Sequence, residues 1–200
     1  MTTTLITGAT RGLGEETARR LAAVGHEVWI GARDVDRGRA VAARIGAHVV
    51  PLDVLDDDSV AAAADLVGEA GGLDVRVNNA GIEPRRAGNA IPTPADETAA
   101  DVLRTFATNV LGVVRVTHAF WPLLHRSAAP VIVNVSSGLA SLTGLSDPDG
   151  PTHFYPGLGY PAKPFSAVAV NPGSTALTRA AGKAFAYWTV SAFTAAFEAG

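Results

Sequence analysis

Short apolar segments alternate with amphipathic segments along most of the chain. The apolar segments are rich in β-branched residues and are bounded by turn-forming or charged residues, a pattern typical of strands. Six strands are predicted on this basis, at residues 4–6, 27–30, 47–52, 75–77, 131–135 and 167–170. Between them, apolar residues recur every three or four positions, which indicates helices with one buried face.

Helices are predicted wherever this spacing persists. Asp34 is suited to cap the second helix, since its short carboxylate can accept a hydrogen bond from a backbone amide. A longer helical region is expected from about residue 94 to residue 126. The residues at helical spacing are Leu13, Thr17 and Leu21 in the first helix, Val41 and Ile45 in the second, Val60, Ala64 and Val67 in the third, and Val110, Val113, Val114, Thr117 and Phe120 in the fourth.

Apolar strands that alternate with helices predict a parallel sheet with both faces covered. Right-handed crossover connections then give a doubly wound, three-layer α/β/α fold. In such folds ligands bind beyond the carboxyl ends of the strands, at the point where the strand order reverses. We therefore expect a binding site at that edge of the sheet.

Composition narrows the class of protein. A chain of 200 residues with 48% hydrophobic content can bury one sizeable core, and a net charge of −3 without a basic run argues against a nucleic-acid partner. The chain has no cysteine, no signal-peptide pattern at its start and no apolar run that could span a bilayer. These features predict a cytoplasmic protein without a membrane partner. The five histidines are scattered, so no metal site is predicted.

The segment that follows the first strand carries the clearest candidate chemistry. Residues 7–14, TGATRGLG, end a strand and open a helix with three glycines. Glycine permits a tight turn and a close approach of the backbone to a ligand. The helix amino terminus directs unpaired N–H groups to the same place, where a pyrophosphate would bind. The alternative interpretation is a helix-opening turn whose glycines serve packing alone.

Small, polar and turn-forming residues also follow the later strands, and together these motifs resemble the short-chain dehydrogenase/reductase family. The matching motifs, in the family's order, are the glycine loop, Asp53-Val54, Asn78-Asn79-Ala80-Gly81, Asn109, Ser136-Ser137 and Asn171-Pro172-Gly173. The resemblance covers residues 1 to about 178. It implies one Rossmann-like dinucleotide-binding domain over 1–178. After it, apolar residues at helical spacing predict a C-terminal amphipathic helix at 179–200, where the chain departs from the family pattern.

The resemblance also implies a role for each motif. The glycine loop would cradle the cofactor pyrophosphate, the motif after the third strand would flank the adenine, and the motif after the fourth strand would line the adenosine ribose. The implied cofactor residues are Gly8, Thr10, Arg11, Gly12, Leu13 and Gly14 in the loop, Asp53 and Val54 at the adenine, Asn79, Ala80 and Gly81 at the ribose, and Pro172 and Gly173 at the nicotinamide.

Arg33, at the end of the second strand, indicates which nicotinamide cofactor is used. An acidic residue there would accept a hydrogen bond from a ribose 2′-hydroxyl, whereas an arginine pairs with a 2′-phosphate. Arg11 can add a second positive charge, and Asp34 is interpreted as the helix cap. NADP(H) is therefore the predicted cofactor. The alternative is that Arg33 and Asp34 are solvated charges in an exposed turn.

The residues expected to carry the proton transfer depart from the family pattern. The resemblance implies a Tyr-x-x-x-Lys pair on one helix, in which the lysine lowers the pKa of the tyrosine. Here Lys163 lies three residues after Tyr160, and Pro161 and Pro164 disfavour a helix. Nine residues separate Tyr160 from Val170. We therefore expect most of that helix to be absent and residues 138–165 to form an extended loop.

Three functional hypotheses follow. The first is an NADP(H)-dependent oxidoreductase that interconverts a carbonyl and an alcohol on a small organic substrate, with Asn109 in a proton relay, Ser137 holding the substrate oxygen, and Tyr160 and Lys163 as the acid–base pair. The second is a family member that binds the dinucleotide but is catalytically impaired, and the third is a shortened product that folds poorly.

The apolar stripe of the predicted C-terminal helix has two possible roles. It either packs on the sheet or joins two subunits, and in the second case the protein would be a homo-oligomer.

Overall fold

Five parallel strands form the centre of the protein. The computed structural model describes residues 1–90 and 96–136. The strand order is β3-β2-β1-β4-β5, and every neighbouring pair is parallel. The strands are β1 (Thr3–Thr7), β2 (Glu27–Ala32), β3 (His48–Pro51), β4 (Val75–Asn78) and β5 (Val131–Asn134). The first five predicted strands are thus confirmed to within two residues at each end, and the sixth lies outside the described residues.

Helices connect these strands and cover the sheet. They are α1 (Gly12–Ala23), α2 (Val35–Ile45), α3 (Asp57–Glu69), α4 (Ala99–Phe106) and α5 (Gly112–Arg126), with a 3₁₀ turn at Ala87–Asn89 and a π-helical turn at Ala107–Leu111. The chain leaves β3 at one edge of the sheet and returns to β4, which pairs with β1. The strand order therefore reverses between β1 and β4, and a crevice forms beyond their carboxyl ends.

Two apolar clusters, one on each face of the sheet, show that the fold has three layers. Leu5 belongs to the cluster that contains Val60 and Phe120 from α3 and α5, whereas its neighbour Ile6 belongs to the cluster that contains Val41 from α2. Both β1 residues have no exposed surface. Burial on both faces is the property expected of a parallel sheet between helices, and it confirms the predicted doubly wound α/β/α fold.

The helix ends follow from capping residues. The Asp34 carboxylate accepts a hydrogen bond from the Arg37 amide at 3.0 Å, as predicted, and begins α2. The long helical region begins at Ala99, later than the predicted position near residue 94. Thr98 and Asp101 form a capping box there, in which each side chain accepts a hydrogen bond from the other residue's backbone amide. A Thr-x-x-Asp pattern marks a helix start, so the sequence contains this signal.

The π-helical turn changes which face of the long helical region is buried. Val114 was expected on the apolar face, but its side chain is 51% exposed. Val116, which was not predicted there, is fully buried, and Phe120 is fully buried as predicted. A π-turn contains more residues than an α-turn, so it shifts every later residue around the helix axis. The spacing counted from Val110 is therefore wrong for Val114, although it places Phe120 correctly on the buried face.

Candidate functional site

A cleft of about 640 Å³ lies beyond the carboxyl ends of β1 to β4, at the point where the strand order reverses. The structure gathers around it every described residue that the sequence assigns to the cofactor. These are Gly8, Thr10, Arg11, Gly12, Leu13, Gly14, Arg33, Asp53, Val54, Asn79, Ala80 and Gly81. Pro172 and Gly173 lie outside the described residues. Contact of these side chains with a dinucleotide remains a prediction.

Gly8 and Gly14 in the glycine loop are required for different reasons. Gly8 has a φ of +67°, which lies in the left-handed region that L-residues with side chains rarely adopt. A Cβ at Gly14 would lie 2.6 Å from the Gly8 carbonyl oxygen and closer still to the Asn79 amide. Glycine at position 14 therefore lets the first turn of α1 pack directly against the Gly8 carbonyl and Asn79. The loop shaped by this packing, the glycine cradle, lies at the amino terminus of α1, a place that suits an anion.

Asn79 holds the glycine loop against the end of β4. Its Nδ2 donates to the carbonyl oxygens of Thr7 at 3.0 Å and Gly8 at 3.1 Å. The Thr7 hydroxyl accepts in return from the backbone amides of Asn79 and Ala80, both at 3.1 Å. These hydrogen bonds join the carboxyl ends of β1 and β4. Thr7 belongs to the glycine-loop motif identified in the sequence, but no role was predicted for it.

The amino terminus of α1 opens into the cleft. Arg11 occupies the N-cap position and makes no side-chain hydrogen bond to the helix. The first backbone amides of α1 are therefore available to an anion. Leu13 shares helical spacing with Thr17 and Leu21, but it is 46% exposed while the other two are buried. Leu13 thus lines the cleft and does not pack beneath the helix. The helix end and the glycine cradle therefore present donors on the same side.

Three arginines give the outer end of the cleft a positive charge. Arg11, Arg33 and Arg37 line it, and none of their guanidinium groups forms a hydrogen bond or ion pair with another described residue. By contrast, Arg39 on the same helix as Arg37 is paired with Asp36 at 2.9 Å. The Asp34 carboxylate is occupied by the α2 cap. The cleft lining therefore carries three arginines against two carboxylates, Asp34 and Asp53, and no ion pair joins the two sets among the described residues. The unpaired guanidinium groups suit an anion.

Sequence reasoning missed Arg37. A signal was present, because Arg37 lies in the first turn of α2, where the helix dipole disfavours a positive charge. An anion that binds beside Arg37 would offset this unfavourable interaction between the arginine and the helix dipole. Its location next to Arg33 is otherwise a consequence of how β2 turns into α2, which apolar spacing does not reveal.

The segment after β3 forms a short, rigid loop on the other wall of the cleft. The Ser59 hydroxyl accepts a hydrogen bond from the Asp53 amide at 2.9 Å, and Asp53 Oδ1 accepts from the Leu55 amide at 3.0 Å. Asp56 then caps α3 through the amides of Asp58 and Ser59. Because these bonds fix the backbone, Val54 stays at the cleft wall with little exposed surface.

Asn109 lies in the π-helical turn and is almost fully buried. Its Oδ1 accepts from the Ile82 amide at 2.8 Å, and its Nδ2 donates to the Ile82 carbonyl at 2.9 Å. Its side chain thereby joins the segment after β4 to the long helical region. π-Turns are frequent at functional sites. A role of Asn109 in a proton relay stays a prediction.

The start of that helical region is held by an ion pair. Arg86 Nη2 donates to Asp101 Oδ2 at 2.7 Å and to the Asp96 carbonyl at 2.6 Å. The Arg86 guanidinium, with the hydroxyl and amide of Thr98, holds the pKa of the Asp101 carboxyl well below its ordinary value. Asp101 lies two turns before Asn109, so this ion pair fixes the helix that carries Asn109.

Ser136 is the last described residue at the carboxyl end of β5. Below it, Asn78 Nδ2 donates to Asn134 Oδ1 at 2.7 Å, which joins the ends of β4 and β5. The catalytic candidates Ser137, Tyr160 and Lys163 lie outside the described residues, as do the predicted loop at 138–165 and the predicted C-terminal helix. Within residues 1–90 and 96–136, no group of three His, Asp or Glu side chains could hold a metal ion.

No helix in the described part of the chain is both long and apolar enough to cross a membrane.

Residues 2–146 match the family model of short chain dehydrogenases. The chain is 38% identical over 154 residues to a short-chain dehydrogenase/reductase of Aspergillus fumigatus, a match that covers 72% of this chain and 58% of the relative. It is 32% identical over 169 residues to another from Talaromyces stipitatus, covering 78% and 61%.

Two solved structures resemble the fold closely. One is an alcohol dehydrogenase from the archaeon Thermococcus sibiricus complexed with 5-hydroxy-NADP, with a TM-score of 0.75, 27% identity, and coverage of 94% of this chain and 74% of that one. The other is an NADPH-bound carbonyl reductase from chicken fatty liver, with a TM-score of 0.77, 26% identity, and coverage of 92% and 77%. The chain spans about three fifths of the length of the two fungal relatives.

Proposed function

The chain belongs to the short-chain dehydrogenase family, and we propose that it is an oxidoreductase that uses NADP(H) to interconvert a carbonyl and an alcohol on a small organic substrate. The observation that carries this proposal is the cleft at the reversal of strand order, which gathers the glycine loop, Asp53-Val54 and Asn79-Ala80-Gly81. Such a crevice is the general ligand site of doubly wound sheets.

The pyrophosphate of the cofactor would bind at the glycine loop. Glycine at position 14 keeps the loop in this shape, since a Cβ would meet the Gly8 carbonyl oxygen at 2.6 Å and the loop would have to shift. The amides at the start of α1 supply donors, and the helix dipole adds a partial positive charge. On this model the adenine lies against Asp53 and Val54, on the opposite wall of the cleft.

The 2′-phosphate that distinguishes NADP(H) from NAD(H) would bind between Arg33, Arg37 and Arg11. These guanidinium groups have no carboxylate partner among the described residues, so a phosphate would not have to displace an existing ion pair. Arginine forms charge-assisted, often bidentate hydrogen bonds with phosphate. The bound cofactors of the archaeal alcohol dehydrogenase and the chicken carbonyl reductase support this choice.

The bound nicotinamide would supply or accept the hydride, and the protein would manage the proton. In this proposal Ser137 orients the substrate oxygen, Tyr160 exchanges a proton with it, and Lys163 lowers the pKa of the tyrosine. A phenol has an ordinary pKa near 10, so a neighbouring cation is needed for acid–base work at neutral pH. The dehydrogenase and reductase names of the relatives do not favour the alternative of a catalytically impaired member.

Cofactor binding followed by turnover tests the proposal. We expect calorimetry to give tighter binding of NADPH than of NADH, and stopped-flow absorbance at 340 nm to show oxidation of bound NADPH by members of an aldehyde and ketone panel. Tyr160→Phe should bind NADPH as the parent does but lose at least a hundredfold in rate, the scale of general acid–base catalysis. Failure of the parent protein to bind either dinucleotide would contradict the proposal.

A further inference from the structure

Arg115, on α5, reaches the loop that follows β3. Its Nη1 donates to the Val54 carbonyl oxygen at 2.7 Å, and its Nε donates to Asp57 Oδ1 at 2.5 Å. The Arg115 side chain is 23% exposed, whereas that of Asp57 is 82% exposed. The guanidinium group thus spans two acceptors, one on the cleft loop and one at the start of α3.

The helix that carries Arg115 also contacts the side chain of Val54. A Cβ at Gly112 would lie 3.0 Å from Val54 Cγ2 and 3.1 Å from Val54 Cβ, so the helix can approach this closely only with glycine at that position. Val54 is therefore fixed by α5 at two points, its carbonyl by Arg115 and its side chain by the Gly112 backbone.

The remainder of the loop is held by its own segment. The Asp53 amide is bonded to Ser59 Oγ, and the Asp53 carboxylate to the Leu55 amide. Neither of these bonds reaches the Val54 carbonyl. Without Arg115, the Val54 carbonyl would lose its side-chain hydrogen-bond donor, and the peptide after it could rotate. Asp53 and Val54 would then move together at the cleft wall.

We propose that Arg115 is a positioning residue for the adenine end of the cofactor cleft. It acts through Val54 and Asp53 and does not itself contact the cofactor. This inference rests on the proposed function, since it presumes that a dinucleotide lies with its adenine against that loop. An arginine suits the task because its planar fork offers donors to two separate acceptors, which a lysine ammonium cannot match in geometry.

The test compares two cofactors that differ only at the adenine. Reduced nicotinamide hypoxanthine dinucleotide phosphate replaces the adenine amino group, which donates hydrogen bonds, with an oxygen that accepts them. Dissociation constants of NADPH and of this analogue are measured by calorimetry for the parent protein, Arg115→Gln, Arg115→Lys and Arg126→Gln. Arg126 is exposed near the end of the same helix, so its variant controls for the loss of one positive charge.

We expect Arg115→Gln to bind NADPH about tenfold more weakly, the loss of one charge-assisted hydrogen bond in a positioning contact. On this proposal the Asp53 carboxylate accepts a hydrogen bond from the adenine amino group, which the analogue lacks. The analogue should therefore lose less, and the preference for NADPH over the analogue should shrink. Measuring two proteins with two cofactors in this way isolates the coupling free energy between Arg115 and the adenine. Arg115→Lys should recover part of the affinity, and Arg126→Gln should match the parent.

Equal weakening of both cofactors, or no weakening of either, would overturn the proposal, because a general loss of stability does not distinguish adenine from hypoxanthine. If Arg115→Gln does not fold by circular dichroism, the same comparison on Arg115→Lys decides between these outcomes. Absence of NADPH binding in the parent protein would instead contradict the proposed function, so the two failures are distinguishable.

Discussion

Asn109 and Ile82 exchange two hydrogen bonds, one in each direction, between a side-chain amide and the backbone amide and carbonyl of a single residue. The contact joins the segment after β4 to the π-helical turn. It satisfies both polar groups of Ile82 with one side chain, in a partly buried environment where water is a poor substitute. Asn109 therefore supports the architecture of the site in addition to any part in proton transfer.

We predict that Asn109→Ala destabilises the protein by about 2–4 kcal/mol, since two partly buried backbone groups lose their partner. Asn109→Asp should fall between the parent and Asn109→Ala, because a carboxylate can still accept from the Ile82 amide but repels its carbonyl. Urea unfolding followed by circular dichroism measures the free energy of unfolding. A loss below about 0.5 kcal/mol for Asn109→Ala, the scale of an ordinary surface substitution, would contradict this account.

A second prediction separates Arg37 from its neighbour on the same helix. Arg37→Ala should weaken NADPH binding about tenfold and leave NADH binding unchanged, because a charged hydrogen bond to phosphate is lost. Arg39→Ala is the matched control, since Arg39 is paired with Asp36 and does not line the cleft. Arg33→Asp should reduce or reverse the preference for NADPH. Calorimetric titration of the three variants with both cofactors measures this.

If Arg37→Ala and Arg39→Ala weaken NADPH binding equally, long-range charge explains the effect and a direct contact is excluded. Salt dependence gives an independent check, because screening weakens a distant charge effect more than a close contact. The Arg37→Ala defect should therefore persist at 0.5 M salt.

The sequence predicted most of the described fold because its strongest signals are local. Apolar β-branched segments located all five strands, and the short carboxylate of Asp34 located the start of α2. The glycine spacing in residues 7–14 located the cleft, since glycine at Gly14 is required by a close backbone contact. Each of these features depends on residues that are neighbours in the chain.

The features that the sequence did not reveal depend on residues brought together by folding. The exposure of Val114 follows from the π-turn, which the spacing of apolar residues does not predict. Arg37 lines the cleft because α2 begins beside it, and Arg115 reaches Val54 across 61 positions of sequence. Such contacts become visible only when the elements are packed.

A third prediction concerns the glycine cradle. Gly14→Val should reduce NADPH binding below detection by calorimetry while the fold persists, because the new side chain displaces the Gly8 carbonyl and the Asn79 amide. Gly68→Ala is a suitable control, since a Cβ there meets only the flexible Leu123 side chain at 3.2 Å and lies away from the cleft. Binding by Gly14→Val that equals the parent's would show that the pyrophosphate site has been assigned to the wrong loop.

The last prediction concerns the pH dependence of stability. It involves His26, which lies at the amino end of β2, on the side of the sheet away from the cleft. Burial lowers the pKa of His26 from its ordinary value, and the Asp74 carboxylate opposes this shift only in part. The neutral ring is held by Thr4, whose hydroxyl lies 2.8 Å from His26 Nδ1 and whose surface is fully buried. Because the unfolded chain takes up the proton more readily than the folded one, protonation favours unfolding.

The contribution of His26 to stability is therefore complete above the ordinary pKa near 6.5, and it is lost as the pH falls through the lowered pKa of the folded state. We expect the free energy of unfolding in urea to decrease between pH 7.5 and pH 5 in the parent protein, and to decrease less in His26→Gln, which cannot be protonated. The difference between the two proteins isolates His26 from the carboxylates, which titrate mainly at lower pH. Parallel pH profiles for the two proteins would show that the ring has the same proton affinity in the folded and unfolded states.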